Sequence, residues 1–197
     1  MIIFNYIPFV GFLFIVLSLI IKIWRIKKKS IILNSGKGKN KQFYFFFFGI
    51  IFLLWLVEII HPVFFNSYSI LPEIALKIWI DSKLLQIIGS LIILLSLVLW
   101  IITLFHFKTS LRFDLDENNS GTLVTTGIFA LSRNPFFLSL NLYFTGIALI
   151  NANLFFIAFA VLAIISIHFF ILKEEKFLKK VYGEDYLNYS KKVRRYF

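Results

Sequence analysis

No cysteine occurs among the 197 residues of this chain, so it holds no disulfide, no thiolate metal site and no cysteine nucleophile. Charge is thin as well, at 16% of residues against 59% hydrophobic, and acidic residues are the scarcer sign, ten against 21 basic. A soluble domain of this length would have too little polar surface to cover its core. Gly-x-Gly-x-x-Gly is absent, and the run 34–41, with Gly36 and Gly38 among lysines, lacks the spacing of a phosphate-binding loop and reads as a flexible basic connection. No internal repeat is present. What the chain does have is apolar length, with a mean hydropathy of +0.86 and 26 Phe. Its main solvent is lipid.

A bilayer core about 30 Å thick takes about 20 apolar residues in helical form, which predicts an all-α integral membrane protein. Spans are expected at 2–24, 43–61, 84–107, 135–150 and 154–172. The last two form a hairpin around Asn151-Ala152-Asn153, a polar tripeptide suited to a tight turn. The first lacks early basic residues and a small-residue cleavage site, so it reads as a retained helix. Segment 63–83 is apolar but interrupted by Pro72, Glu73, Lys77, Asp81 and Lys83, a pattern that fits an interfacial helix better than a span.

Orientation follows from the basic residues, which concentrate on the cytoplasmic side of a membrane. Lys22, Arg25, Lys27, Lys28, Lys29, Lys37, Lys39 and Lys41 follow the first span, and another eight cations follow 172, whereas Lys77 and Lys83 between the second and third spans face Glu73 and Asp81. An N-terminus outside the inner membrane and a cytoplasmic C-terminus satisfy every loop. The net charge of +11 is then a topology signal, reinforced by contacts to anionic lipid, and no nucleic-acid partner is expected because no recognition fold accompanies it.

Organisation changes near residue 107. Region 1–107 is spans and basic linkers; region 108–197, with a loop at 108–134 and an amphipathic helical tail at 173–197, gathers the polar groups at the membrane boundary. There stand Thr125-Thr126-Gly127-Ile128-Phe129 and Arg133-Asn134-Pro135-Phe136-Phe137, then, beyond the hairpin, Glu174-Glu175-Lys176-Phe177-Leu178, Tyr182-Gly183-Glu184-Asp185-Tyr186 and Val193-Arg194-Arg195. In order and spacing these motifs resemble the isoprenylcysteine carboxyl methyltransferase and phospholipid methyltransferase group of membrane enzymes. Three positions depart from its Arg-His-Pro-x-Tyr-x-Gly pattern, where this chain has Asn134, Phe137 and Ser139. The resemblance implies S-adenosylmethionine as methyl donor, held around Thr126, Gly127, Ile128, Phe129, Arg133, Asn134, Pro135, Phe137, Glu174 and Glu175, with Arg194 or Arg195 linked to the acceptor. The acceptor it implies is a membrane lipid or another lipophilic or small carboxylate, amine or thiol. Sterol-type reductases using NADPH resemble the same region, although five spans leave little room for a sterol pocket; a non-catalytic membrane subunit is the third class.

The residue chemistry agrees with a methyl donor of that kind. A sulfonium and an ammonium call for a carboxylate, Glu174 or Glu175, the donor's carboxylate for Arg133, and the adenine for apolar walls such as Ile128, Phe129, Phe136 and Phe137. Pro135 fits the first turn of a helix. His168 stands seven residues before Glu175, on the same helical face, as a candidate base or a buried, hydrogen-bonded histidine. Glu58 and His61 share a face of the second span but lack further metal ligands. Tyr182, Tyr186 and Tyr189 are spaced for one side of a short helix, which places them in the interface.

Overall fold

The structure, a computed structural model, describes residues 2–27, 42–65, 71–107 and 123–196. Among them the regular elements are helical. They are α1 (Ile2–Lys27), α2 (Gln42–Phe64), α3 (Glu73–Leu76), α4 (Lys83–His106), α5 (Pro135–Asn151) and α6 (Leu154–Lys192), with a 3-10 turn at Gly127–Ala130 before α5. Three described stretches, Phe4–Arg25, Lys83–His106 and Leu154–Lys192, are long and apolar enough to cross a membrane, and Gly49–Phe64 and Pro135–Asn151 are shorter apolar helices. The protein is an all-helical, multi-pass membrane protein. Its outward-facing apolar side chains, such as Leu17 on α1, Leu91 on α4 and Phe169 on α6, have lipid as their natural neighbour.

Helices α4 and α5 run antiparallel and form the closest-packed pair. Gly89 and Gly146 meet at the crossing, where a Cβ on Gly89 would stand 2.6 Å from the Gly146 carbonyl oxygen and one on Gly146 2.7 Å from that of Gly89. Small residues bring two backbones this near, which is how helices gain dispersion energy in a solvent as apolar as their own side chains. Helix α1 lies alongside α4 in the same direction: Trp100 Nε1 donates to Ser18 Oγ at 2.8 Å, and Lys22 Nζ donates to the Leu104 carbonyl at 2.8 Å. The lysine thus satisfies a carbonyl left open at the end of α4. The core joins Trp55 of α2 to Ile93 and Trp100 of α4, Tyr143 and Ile147 of α5, and Phe156 of α6. Trp55 stacks on Phe159 at 5.1 Å.

The hairpin forms as expected. Ala152 adopts a left-handed φ of 41°, and Asn153 caps α6 by accepting the Phe156 N–H at 2.9 Å. Segment 63–83 departs from the expected interfacial helix, because α2 runs on to Phe64 and, among the described residues between α2 and α4, only Glu73–Leu76 is helical. From Leu76 its backbone bonds elsewhere: Trp79 N–H donates to the Ala152 carbonyl at 2.9 Å, and Ile78 pairs with Asn153. The hairpin's open backbone groups take the bonds a longer helix would have kept internally.

The tail after 172 is helical too: α6 continues to Lys192, broken at Gly183, whose φ of 53° and ψ of −124° are not helical. The backbone therefore changes direction there and returns towards the loop before α5.

Candidate active site

The loop entering α5 is shaped by one glycine. Gly127 has φ +66°, and a Cβ there would lie 1.9 Å from His106 Cδ2, so both its backbone and its space exclude a side chain. The 3-10 turn that follows points Phe129 inwards, buried against Phe107 at 5.1 Å. Pro135 then opens α5 at its first turn, where the missing N–H costs nothing.

Residues 193–196 lie across this loop as a strap. Arg133 N–H donates to the Arg194 carbonyl at 3.0 Å, while Ser132 Oγ and Asn134 Nδ2 donate to the Arg195 carbonyl at 3.3 and 3.2 Å. Between the Gly183 break and the strap, Tyr189 Oη donates to the Phe129 carbonyl at 2.6 Å. Residues separated by some sixty positions are thus joined through main-chain carbonyls, which hold the Arg133-Asn134-Pro135 turn in place without using a charged side chain.

The charged groups form their own cluster beneath the strap. Glu175 takes two bonds from Arg195, at 3.0 and 2.7 Å, and an ion pair from Arg133 at 3.0 Å, with the Arg133 and Glu175 side chains only 13% and 14% exposed. The paired bonds to Glu175 hold the Arg195 guanidinium firmly in its charged form, its pKa raised. Glu174 differs. It has no cation partner among the described residues, and burial, followed by repulsion from Glu175, pushes its pKa up to about 7. Two further polar atoms are buried without a partner, Arg133 Nε and Tyr186 Oη. The Tyr186 phenol is raised to about 12 by burial and then by the Glu175 charge, so it is a proton donor at any physiological pH. The cluster can therefore receive a cation at Glu174 and an acceptor atom at Arg133 Nε or Tyr186 Oη.

Of the residues expected at the site, Arg133, Asn134, Glu175 and Arg195 meet directly, and Glu174 adjoins them. Phe129 and Pro135 are buried supports of the turn, Ile128 is half-buried, and Thr126 and Gly127 are exposed at its outer edge. Phe137 packs against Phe136 and Phe170, at 5.4 and 5.3 Å. The Arg194 side chain is exposed, and only its carbonyl takes part. Glu175 and Arg133 pair with each other, so Glu174 is the carboxylate left for a cation. His168 sits two helical turns before Glu175, with Nδ1 in a 3.0 Å hydrogen bond to Tyr196 Oη.

Two residues read differently from the sequence expectation. Tyr186 and Tyr189 are buried, at 4% and 9% exposure, where an interfacial position was expected; the Gly183 break carries them inwards onto the cluster and the loop. Glycine inside a helical run was the available signal. Tyr196 was passed over, because a penultimate tyrosine has no periodic context to mark it. The Gly-to-Ser departure is absorbed locally: Ser139 is buried, and its hydroxyl donates to the Phe136 carbonyl at 2.6 Å.

Comparison with known proteins gives one finding of family. The family model described as phospholipid methyltransferase matches residues 84–185, from the start of α4 to just past the Gly183 break. Tyr186 and the strap follow the matched stretch. No curated protein matches the chain.

Proposed function

The chain belongs to the phospholipid methyltransferase family, and we propose that this membrane methyltransferase takes its methyl group from S-adenosylmethionine at the Glu174–Glu175–Arg133 cluster and delivers it to a lipophilic acceptor from the bilayer. The observation that carries this reading is the pair of unlike glutamates. Glu175 is neutralised by two arginines, whereas Glu174, half-buried beside it, has no cation of its own among the described residues. A partly desolvated carboxylate in that state is stabilised by a cation that arrives with a ligand. S-adenosylmethionine supplies an activated methyl on a sulfonium, together with an ammonium and a carboxylate.

Glu174 would hold the ammonium or face the sulfonium, and Arg133 Nε and Tyr186 Oη would meet the carboxylate or a ribose hydroxyl. Ile128, with Phe129 behind it, supplies the apolar side of the loop. Methyl transfer dissipates charge between sulfonium and acceptor, so the protein contributes by aligning the two and excluding water more than by strong base catalysis. His168 stands by to accept a proton from an amine or thiol acceptor.

The cluster lies at the cytoplasmic face in this reading. Five crossings, with the N-terminus outside the inner membrane, put both basic segments and the strap on the same side as the soluble methyl donor. Region 1–107 then builds and orients the body, and 108–197 carries the chemistry. Calorimetric titration of the full chain in detergent tests the proposal: S-adenosylmethionine and its demethylated product both bind at micromolar concentrations, and no heat from either at millimolar concentration overturns it.

A further inference from the structure

The segment beyond Gly183 carries its charges in an order that methyl transfer does not use. Residues 184–192 are helical, and their exposed side chains, Glu184, Asp185, Asn188, Lys191 and Lys192, share one face, while Tyr186 and Tyr189 are buried on the other. Both acids stand at the Gly183 end and both lysines at the strap end, where Arg194 adds a third exposed cation. Among the described residues no carboxylate pairs with Lys191, Lys192 or Arg194, and Glu175 is already taken by Arg133 and Arg195.

The depth of this basic end follows from what the strap touches. α6 is apolar up to Leu172 and charged from Lys173, which sets the edge of the hydrocarbon layer near Leu172. The helix runs about 15 Å past that edge before Gly183 turns the backbone. The chain then descends again. Arg195 pairs with Glu175, just beyond the edge, and Tyr196 Oη is bonded to His168 Nδ1 at 3.0 Å, one helical turn inside it and next to the exposed Phe169. Lys191, Lys192 and Arg194 therefore stand at the level of the lipid headgroups, with Glu184 and Asp185 held about 10 Å back along the segment.

We infer that Lys191, Lys192 and Arg194 form a docking surface for anionic lipid headgroups, which holds the strap down on the turn before α5. A negative membrane surface attracts the basic end of the segment and repels the acidic end, so its field favours the folded-back arrangement over one in which the segment swings free. The docking does not depend on the methyltransferase reading. Its consequence for the methyl donor rests on that reading: the Arg194 and Arg195 carbonyls hold Arg133 and Asn134, so S-adenosylmethionine should bind more tightly on an anionic bilayer.

The test places the full chain in nanodiscs of phosphatidylcholine alone, or of an equal mixture with phosphatidylglycerol, and compares thermal unfolding at low salt. The mixed discs should raise Tm, and molar salt should remove most of the gain. The variant carrying Lys191→Gln, Lys192→Gln and Arg194→Gln should lose at least half of it, and the two lysine changes alone carry the comparison if the triple variant does not fold. Lys179→Gln with Lys180→Gln removes the same charge as that lysine pair from the stretch of α6 that has left the bilayer, and should lose less. No gain in mixed discs, a gain unchanged in the strap variants, or equal losses in the two lysine pairs overturns the docking. An equal gain from inorganic phosphate added to phosphatidylcholine discs at matched ionic strength overturns lipid as the ligand. Titrating S-adenosylmethionine into the same discs separates the two proposals: a gain that needs the strap cations, without S-adenosylmethionine binding, sinks the methyltransferase reading and leaves the docking surface standing.

Discussion

At the scale of single residues, the two adjacent glutamates show how place decides chemistry. Their types and spacing were readable from the sequence, but not their inequality, which arises because the strap brings Arg195 to one of them and burial isolates the other. The consequence is a pH dependence with a definite sign. Glu174, raised to about 7, is protonated below that pH and cannot hold a cation, so S-adenosylmethionine affinity should rise from pH 6 to pH 8 and level off above. Binding near pH 7 should release a proton, seen by calorimetry as a heat that varies with the buffer's ionisation enthalpy. Glu174→Gln should remove this pH dependence and weaken binding at pH 8 by about tenfold or more, the loss of a charge-assisted bond. Stability runs the other way. A carboxyl whose pKa is higher folded than unfolded stabilises the protein below the unfolded value, and that contribution fades as pH rises towards 7. The ligand-free Gln variant should therefore melt higher than the wild type at pH 8 and near it at pH 4.5, as measured by thermal unfolding in detergent.

At the scale of elements, periodicity and length identified the apolar helices, and turn chemistry located the hairpin, because those signals are local. Where a helix end is set by a distant partner they fell short. Segment 63–83 has the composition of an interfacial helix, yet the hairpin's carbonyls draw its backbone out after Leu76. α6 reads as a span followed by a helical tail, and it runs on without a stop until Gly183 leaves the helical region, a break the local pattern did not place. The α4–α5 crossing is similar. Its two glycines look like ordinary small residues in sequence, and only the packed pair shows why they are needed. Gly89→Ala should force the backbones apart and cost about 1–3 kcal/mol, the range for overpacking a tight contact. Gly49→Ala, with no described residue within 4 Å of its Cβ position, should be neutral or slightly stabilising, since alanine is the better helix former. Thermal melts of the two variants side by side make the comparison, and equal losses would mean that close approach is not what holds α4 to α5.

At the scale of the whole molecule, the absence of cysteine makes the proposed orientation directly measurable. A single cysteine at Lys191 should be protected from a membrane-impermeant maleimide in intact cells and react after permeabilisation, while one at Glu73 should react in both; the reverse pattern would invert the topology and move the cluster away from the cytoplasm. The sequence by itself determined the solvent, the helical class and the residue types gathered at the boundary, because apolar length and charge distribution act locally and additively along a chain. Only the tertiary structure decided which of those residues meet. The Gly183 break returns Tyr186 and Tyr189 to the loop, and the strap commits Arg195 to Glu175, with no cation beside Glu174 among the described residues. Each of these depends on contacts between residues far apart in sequence, and burial and pairing, the quantities that set charge and hydrogen bonding, exist only once those contacts are made.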